Sequence, residues 1–146
     1  MKFLLVTLAT LFTIFSSPVK AADGKVTPAV LYSFNKSFED VSEVSWTVTS
    51  QYYKADFNYN GQYVSAYYDA SGNLMALTRN ITSVQLPMTL QTSLKNDNEG
   101  MWITDLFEVN DEAGTSYYVT LENADSKLIL KSSLGSGWST WQKQKK

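Results

Sequence analysis

The sequence predicts an α+β fold in which two helices pack on one face of a single antiparallel sheet. Three observations predict it. The order of elements occurs twice along the chain, as a tandem repeat of a helix followed by three or four meandering strands. Within each half the apolar period switches from helical spacing to strict alternation. Glycine-bearing turns then separate the alternating segments at hairpin distances.

The first helix starts behind Thr27, a fair N-cap, with Pro28 at the first helical position, where a missing N–H does no harm. Leu31, Phe34 and Phe38 follow at helical spacing, so a helix over 27–38 presents one apolar stripe with Leu31 in it. The second helix runs over 86–95, with Leu86, Leu90 and Leu94 behind Pro87. Asn96-Asp97-Asn98-Glu99-Gly100 ends it with turn-favouring residues. Between and after the helices the period is two. Val44, Trp46 and Val48 alternate with Ser45, Thr47 and Thr49. Tyr53, Ala55 and Phe57 alternate with Tyr52, Lys54 and Asp56. Tyr117, Val119 and Leu121 alternate with Tyr118, Thr120 and Glu122. One-sided alternation of this kind marks an antiparallel sheet with one covered face and one wet face. Asn60-Gly61 is a strong two-residue hairpin signal, and Asp69-Ala70-Ser71-Gly72-Asn73 fits a longer loop with Gly72 in the left-handed region. Leu31, Phe34, Trp46, Phe57, Leu90, Val119 and Leu121 are the expected core.

Residues 1–21 read as a secretory signal peptide. Met1-Lys2 is a short positive start, Phe3 to Phe15 is apolar apart from threonines, and Val19 and Ala21 occupy the −3 and −1 positions of a cleavage site. That stretch is shorter than the ~20 residues a membrane-spanning helix needs. The remaining residues 22–146 are expected to form a single domain, its repeats at about 26–80 and 81–138, with no membrane span after cleavage. A periplasmic or secreted location follows. The chain has no cysteine, so no lipoprotein anchor and no disulfide is available, and the fold must be held by burial. Aromatic residues, 14% of the chain, are the means of burying enough area.

Composition also excludes chemistry. Without Lys2 and Lys20, ten basic residues face fourteen acidic ones, a net charge of about −4 that disfavours nucleic acid as a partner. Lys143, Lys145 and Lys146 read as a solvated, frayed end. With neither Cys nor His, thiol nucleophiles, Ser–His triads and transition-metal sites are excluded, and no phosphate loop is present. Asp56 and Asp69 share an exposed parity and form a conceivable glycosidase-like pair, but a solvated strand residue and a loop cap are the stronger readings. Residues 96–99 lack the spacing of a calcium loop. The expectation is therefore no enzyme, no catalytic residue, no metal and no cofactor.

The positive signal is a set of aromatics opposite the core. Tyr52, Tyr63, Tyr67 and Tyr118, with Lys54 and Asp56 beside them, fall on the uncovered face of the sheet. Trp138 and Trp141 follow in the C-terminal segment. Rigid amphipathic rings suit protein recognition, whereas cross-strand tyrosine pairing would explain them with no partner at all. The favoured expectation is a non-catalytic binding module that engages a protein or cell-envelope partner and is itself a monomer. The alternative is a small structural or carrier protein holding an apolar ligand between helices and sheet.

Taken in order, Phe34-x3-Phe38, Val44-x-Trp46, Tyr52-Tyr53-x3-Phe57 and Tyr67-Tyr68-Asp69-x2-Gly72-x-Leu74 resemble the PepSY-like proteins. These are also described as β-lactamase-inhibitor-like proteins of Bacteroidetes-type bacteria. Leu86-Pro87 and Tyr117-Tyr118 extend the resemblance over nearly all of residues 26–135. It implies a secreted tandem α/β repeat and no established activity. The chain departs from the family pattern at Phe38-Glu39-Asp40-Val41, where Phe-Pro-x-Ala is common, and in Gly135-Ser136-Gly137-Trp138.

Protein recovered from a bacterial host is expected to begin at Ala22. N-terminal mass spectrometry checks this, and an intact Met1 would remove the secretion argument.

Overall fold

The computed structural model describes residues 25–146, so the expected signal segment 1–21 and the expected cleavage before Ala22 lie outside the described residues. The chain order is α1 (Pro28–Ser37), β1 (Val44–Val48), β2 (Tyr53–Tyr59), β3 (Gln62–Tyr68) and β4 (Leu74–Asn80). A 3₁₀ turn (Ser83–Gln85) then leads to α2 (Met88–Asp97), β5 (Trp102–Asp111), β6 (Gly114–Glu122), β7 (Ser126–Ser133) and β8 (Ser139–Lys145). The eight strands form one antiparallel sheet in sequence order. Each strand therefore lies beside its neighbour in the chain, and β4 meets β5 directly although α2 intervenes.

Register carries one face through the whole sheet. Val64 lies opposite Phe57 and Arg79, Arg79 opposite Glu108, Glu108 opposite Tyr117 and Tyr117 opposite Ser132. Both helices pack on this face. Under α1 the cluster is Val30, Phe34, Phe38, Ala55, Phe57, Val64, Ala66 and Tyr68, with Trp46 at its margin. Phe34 stands edge-on to Trp46 at 5.3 Å and to Phe57 at 5.0 Å between centroids, while Phe38 meets Phe57 at 4.7 Å. Under α2 lie Ile81, Leu86, Leu90, Leu94, Leu106, Val119, Leu121 and Leu130. Phe34, Phe57, Leu90, Val119 and Leu121 are buried as expected.

Two of the core expectations need correction. Leu31 is 39% exposed, and Val30, fully buried, takes its place. Val30, Phe34 and Phe38 recur every four residues, whereas Leu31 lies one residue, about 100°, off that stripe. Trp46 is only half-buried, because among the described residues no strand lies beyond β1 at that edge of the sheet.

The local signals work as chemistry dictates. Thr27 Oγ1 accepts from the Val30 N–H at 3.3 Å, and Pro28 opens the helix. Asn60 and Gly61 have φ of 51° and 78°, the two positive values a type I′ turn requires. Gly72 has φ of 85°, and a Cβ there would sit 2.6 Å from the Ala29 carbonyl oxygen. The start of α1 thus rests on the β3–β4 loop, and only glycine leaves room for it. In the second half α2 begins at Met88, later than expected. Leu86 precedes it yet remains buried, held by the 3₁₀ turn.

The C-terminal lysines are not a frayed end. β8 pairs with β7 from Lys145 opposite Ser126 to Ser139 opposite Lys131. Trp138 Nε1–H donates to the Leu90 carbonyl at 3.0 Å, tying the preceding turn to α2, and Lys146 forms an ion pair with Glu122. Alternation is weak there because every β8 side chain is exposed, so no buried face marks the period.

Phe34→Ala is expected to destabilise the fold by about 3–5 kcal/mol, and Leu31→Ala by under about 1 kcal/mol. Denaturant unfolding of the two variants measures the difference and reads the phase of α1 directly.

Candidate functional site

Among the described residues no helix or strand covers the face opposite the helices, and the sequence-assigned residues lie on it. Lys54 stands opposite Tyr67, Asp56 opposite Ser65 and Asn58 opposite Tyr63. Tyr52, just before β2, turns its ring edge-on to Tyr67 at 5.5 Å. Five of the six expected residues thus meet within β2, β3 and the loop before them.

Asp56 organises this group. Lys54 Nζ lies 3.0 Å from its Oδ1, and Ser65 donates a short hydrogen bond to the same oxygen. Its negative charge reaches the Tyr52, Tyr63 and Tyr67 phenols. Burial, and secondarily this charge, pushes all three phenols above the ordinary tyrosine range, Tyr67 furthest. Lys54 Nζ is 5.9 Å from the centre of the Tyr67 ring. The result is an aromatic cluster set beside the Lys54–Asp56–Ser65 group, in which Tyr63 is 51% exposed, Tyr67 half-buried and Tyr52 only 7% exposed. The expected exposure of Tyr52 is therefore corrected: its ring is used up against Tyr67.

Tyr118 needs the larger correction. It keeps the expected face but is 1% exposed. Phe107 stacks on it at 5.4 Å with planes 10° apart, Trp141 meets it edge-on at 6.0 Å, and Lys131 Nζ lies 5.2 Å from its centroid. The register of β7 with β8 slips between Ile129 and Leu130, leaving Trp141 as the extra residue of a bulge, and bulges re-aim side chains. Ala76, Phe107, Val109 and Tyr118 form an apolar cluster on this face, with Tyr67 packed against it. Tyr118 thus connects to the tyrosine group through a buried seam. Sequence reasoning missed Trp102 and Ile103 as exposed apolar residues of β5, and Trp102 carries the Lys146 ammonium 5.8 Å from its ring centre. Their alternation is broken by a register slip between Ile103 and Asp105.

The carboxylate pair considered from sequence does not assemble. Asp69 accepts from the Ser71 and Asn73 N–H groups at 2.8 and 3.0 Å and from Asn73 Nδ2 at 2.9 Å, closing its own loop. Partial burial raises its pKa, but these bonds outweigh that and hold the carboxyl below its ordinary value. Asp56 is committed to Lys54 and Ser65. Among the described residues no group of three or more acidic, histidine or cysteine side chains is placed to hold a metal ion. Asn98 bonds the Leu94 carbonyl and so closes α2 rather than an ion site.

On the helix-covered face, where the two apolar clusters meet, Arg79 grips Glu108 with Nε–Oε1 at 3.0 Å and a terminal guanidinium nitrogen on Oε2 at 3.2 Å. Gln62 and Asn110 complete the group. Burial raises the Glu108 pKa, yet the Arg79 and Asn110 bonds prevail and leave it lowered. The pair is a structural clamp between β4 and β5.

No family model and no curated protein matches the chain. Solved structures share its fold. A BLIP-like protein from Bacteroides fragilis is 19% identical, with 84% of this chain and 87% of that chain covered at a TM-score of 0.69. A Bacteroides uniformis protein of the DUF2874 family is 16% identical, with 83% and 90% covered at 0.72. A Bacteroides eggerthii protein whose name places it in the periplasm is 13% identical, with 84% and 90% covered at 0.71. The fold class is thus the one these proteins share, an eight-stranded antiparallel sheet with two helices. At such identities the likeness is one of fold.

Tyr68, opposite Tyr53 under α1, has its phenol pushed up to about 12 by burial, and its hydroxyl is buried without a hydrogen-bond partner. A raised folded-state value stabilises fully below the unfolded value near 10, and that stability is lost as pH rises from about 10 to 12. Tyr68→Phe is expected to leave stability at pH 7 unchanged or higher, and to make the alkaline decline shallower. Thermal melts at pH 7, 10 and 11.5 check both expectations.

Proposed function

We propose that this protein is a periplasmic or secreted non-catalytic binding module whose uncovered sheet face engages a protein or cell-envelope partner. The contact group is Lys54, Asp56, Tyr63 and Tyr67, with Tyr52 backing Tyr67 and Tyr118 supporting it from the apolar seam. The observation that carries this reading is the Asp56 network, which fixes an aromatic cluster in place before any partner arrives. Preorganised rings give up little side-chain entropy on binding, which favours recognition.

The fold shared with a BLIP-like protein supports a protein partner by analogy. The periplasmic name of the B. eggerthii relative and the signal-like start of this chain support the compartment. The repeated order of one helix and four strands supports two copies of one PepSY-like unit within a single domain, expected at about 26–80 and 81–138, the second carried on by β8 to Lys145. The carrier alternative is less favoured, because the Phe34, Phe38, Phe57 and Trp46 rings occupy the space beneath α1.

The test is capture from periplasmic extract on immobilised protein, followed by titration of the captured partner. Tyr63→Ala is expected to weaken binding by about 2 kcal/mol with an unchanged circular dichroism spectrum. Tyr32→Ala, on the outer side of α1, serves as the control and is expected to bind normally. Unchanged affinity for Tyr63→Ala and for Tyr67→Ala would reduce the cluster to sheet stabilisation.

A further inference from the structure

The two outer strands of the sheet are guarded differently. β8 carries Lys143 and Lys145, and lysines along an edge discourage pairing with another sheet. β1 reads Val44-Ser45-Trp46-Thr47-Val48, with no charge, no proline and no bulge in its pairing with β2. Among the described residues no strand pairs with its outer side.

The backbone direction of that free side follows from the hairpin. The Thr49 N–H bonds the Tyr52 carbonyl at 3.0 Å, so Thr49 and Tyr52 are a hydrogen-bonded pair. Antiparallel pairs alternate, which makes Thr47–Lys54 and Ser45–Asp56 bonded pairs as well. The N–H and C=O groups of Val44, Trp46 and Val48 therefore point outward, away from β2.

The strand is also a chemical palindrome about Trp46. An antiparallel partner of the same sequence, centred there, sets Val44 against Val48, Ser45 against Thr47 and Trp46 against Trp46. The outward-pointing residues are the ones that meet, Val44 with Val48 and Trp46 with itself, so about six backbone hydrogen bonds can form. The Ser–Thr pairs lie on the uncovered face, and the Val and Trp pairs lie on the helix-covered face. Val44, Trp46 and Val48 are all only half-buried at present. Glu43 falls opposite Thr49, so no like charges confront one another. Such self-complementarity is what a two-fold interface requires.

We propose that the occupant of this edge is a second copy of the chain, β1 pairing antiparallel with β1 about Trp46 so that one sheet runs through both copies. The contact is smaller than the ~1,600 Å² of a standard interface, so the dimer is weak and forms with rising concentration. The inference is independent of the binding reading, since the Tyr63 and Tyr67 face stays open and is simply presented twice.

Sedimentation velocity of the purified full-length or signal-cleaved protein, from micromolar to millimolar concentration, is the test. Reversible approach to twice the monomer mass is expected. The variant Ser45→Lys/Thr47→Lys places lysine against lysine twice, and is expected to raise the dissociation constant at least about tenfold. The variant Ser45→Lys/Thr47→Glu places lysine against glutamate and is expected to retain the dimer. Circular dichroism confirms folding of both. A monomer at every concentration overturns the proposal, as does a dimer that responds equally to both variants.

Discussion

The Arg79–Glu108 pair is the constraint on which the two halves depend. Glu108 is a buried carboxylate, and a charge out of water is costly unless it is paired and fully hydrogen-bonded. The bidentate guanidinium supplies that pairing only if β4 and β5 lie side by side in one register. A slip of one residue would turn Glu108 to the uncovered face and leave Arg79 without its partner. The same register that satisfies the pair places Val64 and Tyr117 on one side of the sheet. Both helices then have a single face on which to bury their apolar stripes.

With that face occupied, the other is left to side chains alone. It divides into two solutions of the same problem. Over β2 and β3, tyrosines are arranged around Asp56 and remain partly in water. Over β5 to β8, Phe107, Tyr118, Trp141 and Lys131 close over one another, so a tyrosine with no helix above it is nevertheless buried. Aromatic stacking and cation–π contact do here what a helix does on the other side. The difference leaves Tyr63 half in water and Tyr118 shut away from it.

Legibility of the sequence followed the strength of each local rule. The β2 and β3 strands, their Asn60-Gly61 turn and the uncovered parity of Tyr63 and Tyr67 were readable because alternation there is unbroken. The phase of α1 was misplaced by one residue, since Val30 and Leu31 are both apolar and the sheet selects between them. Tyr118 was placed on the correct face but with the wrong exposure, because its cover comes from Trp141, distant in sequence and re-aimed by a bulge. β8 was hidden because every one of its side chains stays exposed, so its pairing leaves no periodic mark.

The amino-acid order by itself determined the types of the elements before β8, the hairpin turns, the sidedness of most strands and the absence of cysteine and histidine chemistry. Those properties arise from interactions within a few residues, which spacing encodes. The tertiary structure alone decided which apolar helix residue meets the sheet, that Arg79 and Glu108 find each other, that the C-terminal segment becomes an edge strand, and that Tyr118 is covered while Tyr63 is not. Each of these depends on which distant segments arrive beside a residue, and a local pattern carries no record of that.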